Sequence, residues 1–199
     1  MTDQATQRGT TKARILDHAL TLLRDSGDAG LTMRRLADAA QMSLGNLQYH
    51  YKTRDDVLTA MVGLHFESCI ADLDAVMIDL KDLPVRERAG FLIRLGLKHG
   101  VELTDMCRIF RELWAISSRN EKVHQAMMAY YARFSERLAT SVMDEEAVPG
   151  LQARLQCLML PFLEGYSITG PALPMPMEDV ATMLTDIVMN QIPEPSGHA

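Results

Sequence analysis

The stretch TMRRLADAAQMSLGNLQYHYKTRDDVL, residues 32–58, decides the fold. Met33, Leu36, Ala37 and Ala40 recur at helical spacing, and Thr32 just before them carries the hydroxyl that caps a helix start. Gln41 and Met42 make a turn, after which Ser43 caps a second short helix that ends near Tyr51. Leu47 is expected to face inward with Met42, which leaves short polar, amide, phenol and imidazole side chains outside. Thr53 to Asp56 has the Thr-x-x-acid form of a capping box and opens a long helix to about Leu80. Two short helices joined by a tight turn and braced by a longer one make a helix-turn-helix.

The rest of the chain extends the same pattern. Upstream, Ile15, Ala19, Leu22 and Leu23 line one face of a helix from about Lys12 to Asp25, and Gly27 is placed to cap its end. Downstream of Pro84, helices are expected at about 85–99, 105–118, 121–144, 151–169 and 178–191. Segments that alternate apolar and polar residues are scarce. The chain therefore reads as all-α with about nine helices. A helix-turn-helix domain with its N-terminal arm is expected over residues 1–54, a larger helical domain over 55–192, and a flexible Pro-rich tail over 193–199.

Composition agrees with a globular protein: 47% of the 199 residues are apolar and 23% charged. No apolar run approaches the length that spans a membrane, and the polar N-terminus lacks the apolar segment of a secretory signal. A cytosolic protein with no membrane partner is expected, and the scattered Cys69, Cys107 and Cys157 read as buried free thiols. The net charge of −6 is unevenly spread. Residues 1–60 hold eight Lys or Arg against seven acids, and residues 61–199 hold twelve against nineteen, so +1 faces −7. A locally basic surface on an acidic body is compatible with DNA.

No phosphate loop, nucleophile elbow, metalloprotease signature or poised carboxylate pair is present, so enzyme activity is not expected. No cofactor is expected. His65 and Cys69 lie four apart on one helix, and two such ligands do not complete a metal site.

The outer residues of the second short helix suit the major groove. Asn46 and Gln48 can pair with adenine through N6 and N7, Tyr49 can reach a base or a phosphate, and Leu44 suits a thymine methyl. Gly45 costs such a helix about 1 kcal/mol relative to Ala, which close approach of another backbone, protein or DNA, would explain. Arg34 is placed for a base edge or phosphate and Thr32 for a phosphate oxygen. Lys52, Thr53 and Arg54 bring two cations and a hydroxyl to the start of the long helix. Taken singly, each also fits an ordinary cap or surface charge.

Residues 32–58, with the preceding helix and its Gly27, resemble the DNA-binding signature of the TetR repressor family. The resemblance covers about residues 12–60. It implies a phosphate-binding hydroxyl at Thr32, a base or phosphate contact at Arg34, readout at Leu44, Gly45, Asn46, Gln48 and Tyr49, and backbone-holding residues at His50, Thr53 and Arg54. Two positions depart from the family: Gln48 stands where an aromatic is usual, and Arg54 where Lys is usual.

The resemblance further implies that the remaining helices form a ligand-binding and dimerisation body, the last two building the interface of a homodimer. The expected function is a ligand-released repressor of double-stranded DNA, bound at a palindromic operator. Control by a protein partner, or by a redox or metal signal, is the alternative. The apolar faces of residues 151–169 and 178–191 fit an intersubunit surface and equally an internal core. Phe110, Trp114, Met127, Met128, Tyr131, Met159 and Phe162 are candidates to line a pocket for a small-molecule inducer, and the same residue types fill ordinary cores. His99 and His124 are possible ligand or proton contacts by the same reasoning.

Overall fold

The computed structural model describes residues 2–102, 105–143 and 149–192, without the side chains of residues 2–10, 65 and 106. Among the described residues there are nine α-helices, one 3₁₀ turn and no strand. The helices are α1 (Thr2–Gly30), α2 (Met33–Ala39), α3 (Leu44–His50), α4 (Arg54–Leu80), α5 (Val85–Val101), α6 (Asp105–Ser117), α7 (Glu121–Ser141), α8 (Leu151–Thr169) and α9 (Met177–Met189). The all-α architecture is as the periodicity predicts, and most boundaries fall within two or three residues of expectation. The tail over 193–199 lies outside the described residues.

Local chemistry explains the breaks. Gly27 adopts φ 63° and ψ −168°, a conformation that suits glycine, and interrupts α1 before a last turn runs on to Gly30. Helix α2 ends in a Schellman motif: the Met42 N–H donates to Ala37 O at 3.0 Å and the Gln41 N–H to Asp38 O at 3.1 Å. Gln41 takes the left-handed position, φ 54°, that this motif requires.

The chain folds as two compact units, Met1–Ser68 with Arg108–Tyr130, and Cys69–Cys107 with Tyr131–Ala199. The boundary expected after residue 54 falls inside the first of them. In that unit α1 packs on α2 and α2 on α3. Ile15 and Leu23 of α1, Leu31, Leu36 of α2, Leu47 of α3 and Leu58 and Met61 of α4 are fully buried.

In the second unit α5 is central, packed against both α8 and α9. Leu92, Ile93 and Leu97 of α5 share a core with Leu155 and Met159 of α8 and with Val180, Leu184 and Val188 of α9. Helices α5 and α8 approach at backbone level, since a Cβ on Gly100 would lie 2.9 Å from Ser167 Cα. Arg88 is buried, with Nη1 donating to Lys81 O at 3.4 Å and Leu83 O at 3.3 Å, and Nη2 to Met143 O at 3.3 Å. A single guanidinium thus satisfies carbonyls at the ends of α4 and α7, where the helix dipole favours a cation. Ion pairs Arg86–Asp186 and Arg94–Glu178 join α5 to α9.

No helix is long and apolar enough to cross a membrane among the described residues.

Candidate nucleic-acid interface

The helix-turn-helix is assembled by caps that also set its outer face. Thr32 Oγ1 accepts from the Arg35 N–H at 3.2 Å, and Ser43 Oγ accepts from the Asn46 N–H at 3.2 Å. Both hydroxyls therefore serve as N-caps, as their positions predict. At the start of α4 the Thr53 N–H donates to Asp56 Oδ2 at 3.0 Å and the Asp56 N–H to Thr53 Oγ1 at 3.1 Å. This is the reciprocal capping box. Hydrogen bonds from Thr53 hold the Asp56 carboxyl below its ordinary pKa.

Leu47 pins α3 to the interior, and this decides what faces outward. Leu44, Gly45, Asn46, Gln48 and Tyr49 are exposed, Tyr49 by 64%, and His50 is half-buried. At 100° per residue, Leu44, Gln48, Gly45 and Tyr49 follow one another around the helix within an arc of about 140°. Gly45 lies inside that arc, and a Cβ built on it meets nothing within 4 Å. Of the two explanations open for this glycine, close approach by another part of the same chain is removed among the described residues. Tyr49 and His50 meet edge to face, ring centroids 5.3 Å apart.

Around this face Arg34 and Lys52 are exposed, without an ion-pair partner among the described residues, and Thr32, Ser43 and Thr53 are exposed beside them. Tyr51 closes α3 from inside; it is buried, which raises its phenol pKa, and Lys12 Nζ lies 5.8 Å from its ring centroid. Lys12 and Tyr51 are thus a supporting pair that sequence reasoning did not single out.

Arg54 is turned toward the protein. Its Nε donates to Leu31 O at 2.7 Å and its Nη2 to Asp28 O at 3.0 Å and to the Asp28 carboxylate. Two carbonyls and an acid, presented by the turn after Gly27, thus hold this cation at the start of α4.

Residues 15–61 match the family model described as bacterial regulatory proteins, tetR family. The chain is 39% identical over 181 residues, 90% of its length and 89% of the other's, to an uncharacterized HTH-type transcriptional regulator in the dhlA 5′ region of Xanthobacter autotrophicus. The chain belongs to the TetR family. This TetR-family chain is a DNA-binding transcriptional regulator.

Solved structures share its fold. The multidrug binding protein EbrR complexed with imidazole superposes with a TM-score of 0.70 at 22% identity, covering 94% of this chain and 98% of EbrR. EbrR complexed with ethidium gives 0.66 at 24% identity, covering 92% and 98%. A transcriptional regulator from Saccharomonospora viridis in complex with choline gives 0.60 at 20% identity, covering 94% and 100%.

The pocket candidates of this TetR-family chain divide between its units. Phe110, Trp114, Met127 and Met128 lie in the first, and Tyr131, Met159 and Phe162 in the second. Phe110 joins an aromatic cluster with Phe66 and Tyr130. Phe66 stacks on Tyr130 with centroids 3.4 Å apart, and Phe110 lies 4.7 Å from Phe66. Met127 is fully buried, whereas Trp114 is 53% and Met128 40% exposed. Met159 is a core residue of the second unit, Phe162 stacks on Tyr166 at 6.3 Å, and Tyr131 is half-buried. Phe66 and Tyr130 were missed because neither sits in a motif; only the meeting of α4, α6 and α7 brings the rings together.

Of the three thiols one is buried as expected and two are not. Cys69 is buried, Cys107 half-buried with Sγ donating to His99 O at 2.8 Å, and Cys157 exposed on α8. The His65 side chain lies outside the described residues, and no cluster of metal-ligating side chains occurs among those described.

Proposed function

We propose that this TetR-family regulator is a repressor that binds a palindromic operator as a dimer and is released by a small-molecule effector. The outward arc of α3 is the observation that carries the reading. Leu44, Gly45, Gln48 and Tyr49 face solvent together while Leu47 anchors the helix. Gln48, Tyr49, Asn46 and Leu44 read base edges, and Arg34 contributes a base or phosphate contact. Thr32, Ser43, His50, Lys52 and Thr53 hold the backbone. Arg54 serves the same end by holding Asp28 and Leu31.

Residues 1–54 act as the DNA-binding part and residues 55–192 as the effector-binding and dimerisation part. Helices α8 and α9 form the dimer interface; exposed Cys157, Pro161, Gly165 and Ile168 on α8 and Met183 and Ile187 on α9 support this, since apolar faces of that kind are covered in oligomers. The ligand-bound neighbours support an organic effector. A cytosolic location accords with this role.

The test is a gel-shift series at fixed salt with fragments of the protein's own promoter region. Binding of one fragment far above scrambled DNA is expected, with half-sites about 34–36 Å apart or a multiple of it. Equal affinity for all fragments and for scrambled DNA refutes the proposal.

A further inference from the structure

Helices α2 and α3 have seven residues each, too few to fix their own orientation, so neighbouring elements must set it. Part of that task falls on Asp28, the residue after the break at Gly27. Its N–H donates to Glu112 Oε2 on α6 at 3.1 Å, its carboxylate pairs with Arg54 and lies 3.6 Å from Arg119 Nη2, and its carbonyl accepts from Arg54. The positive φ of Gly27 turns the Asp28 amide toward Glu112, and a Cβ on Gly27 would already touch Glu112 Oε2 at 3.4 Å.

A second contact runs alongside. Asn120, which caps α7 by accepting from the Val123 N–H at 3.2 Å, donates Nδ2 to Asp55 Oδ1 on α4 at 2.7 Å. The α6–α7 elbow is therefore fastened both to the α1–α2 turn and to the start of α4. Thr32, Lys52 and Thr53 stand at those two places.

We infer that Glu112, acting through Asp28, is a positioning residue for DNA binding. The inference rests on the reading of α3 as the DNA-contacting helix. Glu112 sits 84 residues from Asp28 in sequence and meets it as a hydrogen-bond acceptor. Positioning and simple electrostatics predict opposite signs. Removing a carboxylate reduces repulsion of phosphate and tightens binding, whereas removing the acceptor frees the Asp28 turn and weakens it.

The test compares full-length wild type, Glu112→Ala and Glu112→Gln by fluorescence anisotropy on the promoter fragment that wild type selects, across a salt series. Thermal melts confirm folding. Glu112→Ala is expected to lose about tenfold in operator affinity with an unchanged salt slope, because no phosphate contact is removed. Glu112→Gln, whose amide oxygen still accepts from Asp28, should bind within twofold of wild type or tighter. Equal or tighter binding by Glu112→Ala overturns the inference, and so does an equal loss in both variants. Should Glu112→Ala fail to fold, Glu112→Asp, which keeps the charge and withdraws the acceptor by one methylene, replaces it with the same two outcomes. Wild type that cannot tell promoter from scrambled DNA overturns the DNA-binding reading as well; selective wild type with an unaffected variant overturns the positioning role alone.

Discussion

Gly45→Ala separates what α3 needs for folding from what it needs for DNA. Gly45 sits inside a seven-residue helix, exposed, and the space a Cβ would occupy is empty. An added methyl therefore gains helix propensity of about 1 kcal/mol with no intramolecular clash to offset it. For a chain of this length that raises the melting temperature by roughly 2–4 °C. The same Cβ stands between Leu44 and Gln48 on one side and Tyr49 on the other, and holds the helix about 1.5 Å further from a base edge. A loss comparable to one mismatched base pair follows, about 1–2 kcal/mol per half-site, doubled in a dimer that uses both. Non-specific binding rests on phosphate charge and should not change. Differential scanning fluorimetry and anisotropy on operator and scrambled duplexes measure both effects. A variant that melts higher and binds the operator like wild type refutes the close approach; one that melts lower refutes the open space.

Two other perturbations test contacts and burial within the protein itself. Arg54→Ala should lower stability by about 2 kcal/mol, because it strips the donors from Leu31 O and Asp28 O at a partly buried site. Its salt slope for DNA should stay that of wild type; flattening by about one would show that Arg54 neutralises a phosphate. Glu164, partly buried on α8, has its pKa pushed up to about 7 by loss of water. A carboxyl raised above its unfolded value binds protons more tightly when folded. Stability should therefore fall as pH rises from about 4.5 to 7, by roughly 3 kcal/mol at most. Glu164→Gln should melt higher than wild type at pH 8 and equally at pH 4.5. Parallel pH–stability curves for the two proteins would dismiss that burial.

The helix-turn-helix was legible because its signals are local. A cap bonds a neighbour three residues on, as Thr32, Ser43 and Thr53 do, and Leu47 is buried by its place in a short pattern. Gly27 was also readable, since a helix end favours a residue that tolerates positive φ. Arg54 was not, because nothing in Lys-Thr-Arg-Asp distinguishes a guanidinium aimed at phosphate from one aimed at a carbonyl of Leu31. Its partners lie 23 and 26 residues away and are presented by a turn whose direction depends on packing.

The pocket candidates show the same limit. Phe110, Trp114 and Met159 share one chemistry in the sequence, and only packing places the first in an aromatic cluster, leaves the second half exposed and puts the third in a core. Composition and spacing determined by themselves that residues 32–58 form a helix-turn-helix with Gln48 and Tyr49 outward, since 3.6 residues per turn and a hydroxyl at the cap require no distant partner. Tertiary structure alone decided that Gly45 faces open space, that Arg54 binds the protein, and that Glu112 reaches Asp28. Each depends on where separate helices come to rest, and that is settled by burial summed over the unit rather than by any short run of residues.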